Sequence, residues 1–484
     1  MKIAAIAIAA VALVGAVAAA TVVFLRQDET PEPAIALDVP AQIAHPDPLR
    51  FEPGRTEEYE QAAAFGLSHV LFEKSPGGAL ASARRTARFR AMVDDATSGT
   101  GIDPDLVEAI VLLESAGRQD VIAGDDPANA AGLTQIVSGT ATDFLGMRVD
   151  LEESRRLTRL LGEAVRRGDD VQAARLRAER RQVDARFDPE QALAGTVRYV
   201  TEAKKVFGRD DLALVSYHMG IGNLSDVVRA YTTRQDDPVD TIVRDADIDY
   251  ARLYFDSSPS AHRASWELLA SFGDDSQTYY WRVLGALGIM HLLRSDPVRL
   301  ERLAELHDRL PSAALVLHPP GVRDRYADAT QLRDAVARGV LVSVQPSSDA
   351  HFTIDPQLER ALVPLTDGPS AYLALRPRAA RFLAFLAAKV HDLSGEERPL
   401  ALTRAAYDEE ATTTLTPRDP GAAADADMHA TGFAFDIRRR YGSGAQAAAF
   451  QWTLERLEAL GLIAWTRGRS VIHLVVSPRA DVRA

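Results

Sequence analysis

The segment Val107-Glu-Ala-Ile-Val-Leu-Leu-Glu-Ser115, followed by Ala131-Gly-Leu-Thr-Gln-Ile136, decides the fold and function predicted for this chain. Apolar residues recur three to four positions apart in the first stretch, a spacing that predicts a helix with a buried face. Glu114 sits one step from that face, where partial desolvation raises the pKa of a carboxyl and suits a general acid near neutral pH. The residues alone leave open a solvated or capping role for the same glutamate.

Three further segments accompany this one in chain order. They are Phe187-Asp-Pro-Glu-Gln191, Ser216-Tyr-His-Met-Gly-Ile-Gly-Asn223 and Asp275-Ser-Gln-Thr-Tyr279. Together with the Glu114 segment they resemble the lytic transglycosylases of the goose-lysozyme-like superfamily, which cleave the glycan of peptidoglycan. The resemblance covers roughly residues 95 to 295 and implies a lysozyme-like helical fold.

The resemblance also implies the site and its substrate. Glu114 would act as both acid and base on peptidoglycan glycan strands, without a cofactor, and leave a 1,6-anhydro-N-acetylmuramic acid end. The implied substrate-binding residues are Ser115, Gly132, Leu133, Gln135, Tyr217, His218, Gly220, Asn223 and Tyr279. The chain departs from the family at His218, where Asn is usual, and at Asp275-Ser276, where Glu-Thr is usual.

The expected roles of these residues differ. Ser115 is expected to hold Glu114 in place or to contact sugar, and residues 132–135 to line the substrate groove. Tyr217 and Tyr279 are expected to position the acid or to stack near the sugar, with a role as core residues left open.

Composition narrows the function classes. The chain has 484 residues, enough for two or three domains, and a net charge of −13 that argues against a nucleic-acid partner. It contains no cysteine. Disulfides, iron–sulfur clusters, thiolate zinc sites and a lipid-modified N-terminal cysteine are therefore excluded.

The N-terminus predicts export. Residues 1–26 carry an apolar run long enough to span a bilayer, which predicts either a membrane anchor or a signal peptide cleaved near Ala18-Ala-Ala20. Residues 27–48 contain five prolines and predict an extended linker. The remainder is expected in the cell envelope, anchored and facing the periplasm or wall, or secreted if residues 1–20 are removed.

Changes in sequence pattern divide the rest of the chain. Residues 49–296 are predicted to form the transglycosylase domain, with a charged helical hairpin inserted at about 150–186. That hairpin is either a solvated surface element, or a wall of the glycan groove or a docking arm. Residues 297–350 are predicted to be a connector with a short helix and a strand, and residues 351–484 a second domain.

The second domain has its own constellation of polar residues. The strings His429-Ala-Thr-Gly-Phe-Ala-Phe-Asp436 and Val471-Ile-His-Leu-Val-Val476 predict strands that carry two histidines and an aspartate, a set able to hold zinc. The first string resembles the zinc D-alanyl-D-alanine carboxypeptidases of the hedgehog-like fold, which trim peptidoglycan stem peptides. The resemblance covers roughly residues 350 to 480 and implies His429, Asp436 and His473 as Zn²⁺ ligands.

Two departures from that second family predict an impaired peptidase. The family usually has a glutamate as general base three residues before the last histidine, where this chain has Ser470. It also usually has a Ser-Gly-Tyr-Arg string, where this chain has Arg404-Ala-Ala-Tyr407. A base from another loop, Asp425 or Asp427, stays open, as does binding of stem peptides without cleavage.

The sequence thus predicts a mainly-α lysozyme-like N-terminal domain and a smaller α+β, hedgehog- or DD-peptidase-like C-terminal domain. Three functions follow: a membrane-tethered lytic transglycosylase, a bifunctional glycan and stem-peptide hydrolase, or a non-catalytic wall-binding scaffold. Retention of Glu114 disfavours the third and Ser470 the second. A hydrolytic variant of the glycan reaction would need a second carboxylate, for which the following loop offers Asp120, Asp125 and Asp126.

Overall fold

The computed structural model describes residues 47–273, 275–310, 312–318, 325–347, 349–358, 369–409, 411 and 426–482. The predicted anchor and nearly all of the proline-rich linker lie outside these residues, as do Asp425 and the side chain of Asp427. No described helix is both long enough and apolar enough to cross a membrane. The structure is 61% helical with a small sheet region, which confirms a mainly-α chain with a smaller α+β part.

Helices make up almost all of the first part of the structure, within residues 47–310. They are Thr56–Gly66, His69–Glu73, Ala79–Ala87, Arg90–Thr97, Pro104–Ser115, Leu151–Arg166, Asp170–Val183, Pro189–Phe207, Asp210–Met219, Ile221–Thr232, Val239–Asp245, Tyr250–Asp256, Arg263–Ser271, Tyr279–Ser295 and Pro297–Arg309. Residues 56–73 fold as two consecutive helices, as do residues 79–97. The first break falls where a Cβ on Gly66 would lie 2.3 Å from the carbonyl oxygen of Ala459, so the chain turns where it meets the C-terminal part.

The helix Pro104–Ser115 begins where the sequence predicts, with Asp103 capping its first turn. It is buried on almost every side and packs closely against the helix Tyr279–Ser295. Even Glu108 is buried, and two arginines neutralise it. Glu114 therefore ends a central core helix, rather than the one-sided helix expected from the spacing of its apolar residues.

The predicted hairpin is confirmed as the helices Leu151–Arg166 and Asp170–Val183, which share a small apolar core of their own. At its return, Arg186 and Asp184 form a fully buried ion pair with a distance of 2.7 Å. The Arg186 guanidinium also donates to three backbone carbonyls within residues 127–136. The base of the hairpin is thus fixed to the loop that follows the Glu114 helix.

The second part of the structure, within residues 312–482, has seven strands among its described residues, and five of them form one mixed sheet. The strands are β1 (Val342–Ser343), β2 (Phe352–Ile354), β3 (Ala374–Leu375), β4 (Leu400–Arg404), β5 (Ala434–Arg438), β6 (Ile463–Arg467) and β7 (Val471–Val476). The sheet order is β2-β4-β5-β7-β6, and β1 pairs separately with β3. Three of the pairings in the five-stranded sheet are antiparallel, whereas β2 at one edge runs parallel to β4.

Four further helices lie in the second part, either within the predicted connector or against the sheet. They are Ala313–Leu317, Ala329–Ala337, Pro377–Ser394 and Gly444–Ala459. The short helix expected in the connector is confirmed at Ala329–Ala337, whereas the expected strand shrinks to the two residues of β1.

The two parts share one continuous core. The helix Gly444–Ala459 enters the first part, where the Trp452 indole donates to the carbonyl of Ser257 and the Arg456 guanidinium to that of Tyr254, at 2.8 and 2.9 Å. A single cluster of buried apolar side chains extends from Leu49 to Val482. The C-terminal helix therefore completes the packing of the helical part as well as its own sheet.

Candidate active site and metal centre

Glu114 and Tyr279 meet at the end of one helix and the start of another. The Tyr279 hydroxyl donates a 2.7 Å hydrogen bond to Oε1 of Glu114. Tyr279 is buried and Glu114 is partly exposed. Desolvation raises the pKa of Glu114 to about 7, although the hydrogen bond from Tyr279 and the charge of Arg282 both lower it. Near neutral pH the carboxyl therefore populates both protonation states, which suits a group that gives and takes a proton.

Aromatic rings surround this pair. The ring centroids of Tyr217 and His218 lie 6.5 and 5.0 Å from that of Tyr279, and both rings are nearly parallel to it. His218 is exposed, and its Nδ1 lies 3.0 Å from Oγ of Ser276. We call Glu114, Tyr217, His218 and Tyr279 together the catalytic face. It presents a partly exposed carboxyl beside flat aromatic surfaces, an arrangement suited to a sugar ring.

The turn after the Glu114 helix braces this face. Gly132 has a φ of +83°, and a Cβ there would lie 1.8 Å from the carbonyl oxygen of Arg186, so only glycine fits. The Gln135 amide donates to the carbonyls of Val121 and Gly132, and Leu133 is fully buried. The Gln135 amide and the Leu133 side chain therefore help to build the turn, and the groove-lining role expected for these residues stays a prediction.

Tyr217 connects the turn to the catalytic face. Its hydroxyl donates to the carbonyl of Thr134 at 2.8 Å and lies 3.1 Å from Oγ1 of Thr196. Burial raises the pKa of Tyr217 above its usual range, so the hydroxyl stays protonated. The Tyr217 hydroxyl thus holds the turn in position, and only the ring of this residue contributes to the catalytic face.

Three other predicted residues serve the local backbone. Ser115 is buried and its hydroxyl donates to the carbonyl of Val111 one helical turn back, so the expectation that it holds Glu114 or contacts sugar is corrected. Gly220 has a φ of +90° at the corner between two helices. The Asn223 amide donates to the carbonyl of Met219 and caps that corner.

Sequence reasoning assigned no role to Arg282, which the structure places close enough to Glu114 for its charge to lower the pKa of the carboxyl. Its guanidinium is held by Asp275 at 2.6 Å. The signal was available, since residues three apart on a helix share a face and Arg282 follows Tyr279 by three.

The acids offered by the following loop are mostly engaged. Asp126 pairs with Arg155 at 2.8 Å, and Asp120 pairs with Arg177 and Arg180 of the hairpin. Glu114 is the one carboxylate among the four residues that make up the catalytic face.

A second tyrosine–glutamate pair adjoins the first in sequence. The Tyr280 hydroxyl donates to Oε1 of Glu60 at 2.9 Å, and burial raises the pKa of Glu60 to about 7. Asp211 and Asp249 lie near Glu60 and raise its pKa further. Glu60 and Glu114 each pair with a tyrosine hydroxyl and have a pKa of about 7, but the charged groups near them differ.

The predicted metal ligands converge in the second part. Asp436 on β5 lies opposite His473 on β7. His429 was expected on a strand but lies on the 3₁₀ helix Ala426–Thr431. Oδ1 of Asp436 is 3.1 Å from Nε2 of His429 and 2.7 Å from Nδ1 of His473. All three side chains are buried, and their ligand atoms lie within 4.8 Å of one another.

The hydrogen bonds of this trio suit a bound cation. Nδ1 of His429 lies 2.7 Å from the carbonyl oxygen of Ala405, so this nitrogen carries the proton and Nε2 offers a lone pair. Burial lowers the pKa of His429. Burial alone would raise the pKa of Asp436, but the two imidazoles hold it far below its usual range. In the neutral form of His429, Nε2 and the ionised carboxylate face each other as two acceptors, and either a proton on Nε2 or a bound metal ion would satisfy both.

The chemistry around the trio is sparse. Ser470, at the position of the expected base, is exposed, and its carbonyl accepts the backbone N–H of Arg439. The Arg404 guanidinium lies 3.6 Å from the second oxygen of Asp436. Among the described residues only His429, Asp436 and His473 form a set with metal-ligand spacing.

Comparison with protein-family models and with curated proteins found no match for this chain. The two centres must therefore be interpreted from their own geometry. One is a partly exposed carboxyl that holds a proton, and the other is a buried carboxylate between two imidazoles.

Proposed function

We propose that this protein is a peptidoglycan lytic transglycosylase. The observation that carries the proposal is the Tyr279–Glu114 hydrogen bond, which holds a partly exposed carboxyl with a pKa of about 7 beside aromatic rings. The order of the four motifs and the predominance of helices support a lysozyme-like fold for the helical part. The substrate class is the glycan strand of peptidoglycan.

A single carboxylate suffices for the reaction. Protonated Glu114 donates its proton to the oxygen that bridges N-acetylmuramic acid and N-acetylglucosamine, as the bond from that oxygen to the anomeric carbon breaks. The 6-hydroxyl oxygen of the muramic acid attacks the same carbon, and its proton passes to the Glu114 carboxylate. One proton leaves and one returns, so a 1,6-anhydro ring forms and no water is consumed.

The neighbours of Glu114 support both halves of this cycle. Tyr279 fixes the carboxyl by hydrogen bonding to one oxygen, while the other oxygen stays available to substrate. The charge of Arg282 stabilises the carboxylate after it has given up its proton. Because Tyr217 and His218 offer flat surfaces beside the carboxyl, we assign them to sugar positioning.

We further propose that the C-terminal part holds Zn²⁺ through His429, Asp436 and His473. Zinc favours nitrogen and oxygen ligands of this kind. When bound, it would act as a Lewis acid at this site, but the chain supplies no glutamate in place of Ser470 to serve as base. We therefore assign the C-terminal part, of hedgehog-like type, to stem-peptide binding or to support of the helical part.

Placement in the cell follows from the same proposal. Peptidoglycan lies outside the cytoplasmic membrane, so the apolar run within residues 1–26 would export the chain as an anchor or signal. Residues 27–48 would then span the distance between the membrane and the wall.

The test is mass spectrometry of purified peptidoglycan digested with the full-length protein, with Glu114→Gln and Glu60→Gln beside it. We expect anhydro-muropeptides from the wild type and from Glu60→Gln, and none from Glu114→Gln. Glu60 is the matched control because it too accepts a hydrogen bond from a tyrosine hydroxyl, that of Tyr280, and its pKa is also about 7. Reducing-end products would instead identify a hydrolase, and activity in Glu114→Gln would remove the proposed acid.

A further inference from the structure

A basic depression opens immediately after the Glu114 helix. It has a volume of about 320 Å³, which is in the range of small ligand sites. Its charged lining consists of Arg85, Arg88, Arg118 and Asp120. Because it begins at Gly117, three residues from Glu114, the backbone separation of the two is at most about 11 Å.

Two of the three arginines have guanidinium groups to spare. Arg85 is committed to the structure, since it donates to the carbonyls of Pro76 and Ala116. The Arg118 side chain uses only Nε, which donates to the carbonyl of Ser115, and the Arg88 side chain has no hydrogen-bond or ion-pair partner within the described ranges. Both Arg88 and Arg118 are exposed.

The inserted hairpin keeps this depression positive. Asp120 is its one acidic lining residue, and it is paired with Arg177 at 3.1 Å and Arg180 at 2.8 Å. The Arg180 side chain is only 2% exposed, and its guanidinium stacks on the ring of Phe187 at 3.6 Å. Because two hairpin arginines compensate the single acid, the depression carries an excess of positive charge in a chain whose net charge is −13.

We infer that this depression, which we call the arginine pocket, binds a carboxylate of the stem peptide carried by the glycan strand that Glu114 cleaves. The inference rests on the proposed function and adds a substrate preference to it. Guanidinium groups bind carboxylates through paired, charge-assisted hydrogen bonds. Stem peptides hang from the muramic acid residues of the strand, so a strand seated at Glu114 brings their carboxylates close to Gly117.

The inference also gives the hairpin a function. Arg177 and Arg180 are not placed to bind the ligand themselves; they neutralise Asp120, which would otherwise repel it. The hairpin therefore acts on substrate choice through Asp120, as a positioning element and not as a wall of the glycan site.

The test is binding by the full-length Glu114→Gln protein, which holds substrate without cleaving it. The probes are a glycan tetrasaccharide with free stem peptides and the same tetrasaccharide after amidase removal of the peptides. Arg88→Gln combined with Arg118→Gln should weaken binding of the peptide-bearing probe about 10-fold, through loss of charge-assisted hydrogen bonds, and leave the other unchanged. Arg84→Gln is the matched control, because it removes an exposed charge that lies outside the pocket, on the helix Ala79–Ala87 that ends immediately before Arg88.

Several outcomes would overturn the inference. Equal weakening of both probes would make the arginines general glycan contacts, and no weakening of either would leave the pocket without this ligand. Displacement of the peptide-bearing probe by inorganic phosphate but not by acetate would point to a phosphate-bearing wall polymer. Failure of the proposed function is distinguishable, because the protein would then bind neither probe and release no anhydro product.

Discussion

Glu114 and Asp436 are two desolvated carboxyls with opposite behaviour. Desolvation raises the pKa of Glu114 to about 7, and one tyrosine hydroxyl faces it. Asp436 is buried too, yet two imidazoles keep its pKa far below the usual range. Burial makes both groups expensive to ionise, so the neighbours decide the outcome. One neutral hydroxyl only partly offsets the burial of Glu114, whereas the charges and hydrogen bonds of two imidazoles outweigh the burial of Asp436.

The comparison separates two kinds of chemistry in one chain. Glu114 is suited to proton transfer and is partly exposed to substrate. Asp436 is suited to holding an ion and is shielded from solvent. Variants of one centre should therefore leave the function of the other intact, unless the shared core transmits a structural change.

The largest expected effect is on glycan cleavage. Glu114→Gln removes the proposed acid and base and should lower kcat by about 10²–10⁴-fold, the usual contribution of general acid–base catalysis. Asp436→Asn should leave cleavage within about two-fold. Release of anhydro-muropeptides, followed by chromatography, measures both; equal losses would mean that the two centres are not independent.

Metal binding should show the reverse pattern. Wild type and Glu114→Gln are expected to bind one Zn²⁺ per chain, and Asp436→Asn to bind it about 100-fold or more weakly, since even outer-shell changes cost up to that factor. Calorimetric titration with Zn²⁺, together with metal analysis after dialysis, gives the affinity and the stoichiometry. Undiminished binding by Asp436→Asn would remove this residue from the ligand set.

A smaller effect is expected from Tyr279→Phe. Its hydrogen bond lowers the pKa of Glu114, so its loss should move the alkaline limb of the kcat/KM profile to higher pH by roughly half to one unit. Tyr217→Phe is the control, because that hydroxyl bonds to the carbonyl of Thr134 and not to Glu114. A limb that stays in place in Tyr279→Phe would show that another group controls it.

The smallest effects concern stability and have opposite signs. The pKa of Glu114 is raised in the folded state from 4.5 to about 7, so its contribution to stability is present below pH 4.5 and is lost as the pH rises through 7. The Tm of Glu114→Gln relative to wild type should therefore be higher at pH 8 than at pH 5.

Asp436 provides the contrasting case. Its pKa is lowered, so its contribution is present above the ordinary value of 3.8 and is lost only under strong acid. With chelator present, Asp436→Asn should lower Tm at both pH 5 and pH 8. Thermal unfolding followed by circular dichroism at the two pH values tests both signs; a constant Tm difference for Glu114→Gln would contradict the assigned pKa.

Local patterns predicted the elements well. The cap at Asp103, the hairpin at residues 151–183 and the strand around Asp436 all depend on neighbours within a few positions, which the sequence displays directly. The meeting of Glu114 with Tyr279, and of Asp436 with the two histidines, was reached through motif order rather than through local pattern.

What could not be predicted depends on distant contacts. Residues 132–135 look like groove residues in a linear motif, and the sequence gives no sign that Arg186 returns from the hairpin to pack against Gly132 and to donate to the carbonyl of Ile136. The compensation of Asp120 by Arg180 joins residues 60 positions apart. The parallel pairing of β2 with β4 likewise has no local signal, because both strands are short.

The hydrogen bonds from Trp452 and Arg456 to the helical part also affect the order in which the chain can fold during its synthesis. They join residues 195 and 202 positions apart, so the acceptor carbonyls emerge long before their donors. At a synthesis rate of roughly 5–20 residues per second, the earlier half waits about 10–40 s for these partners. The half that bears Glu114 reaches its final packing only after nearly the whole polypeptide has been made. Incomplete chains would therefore lack a finished core around the helix Pro104–Ser115.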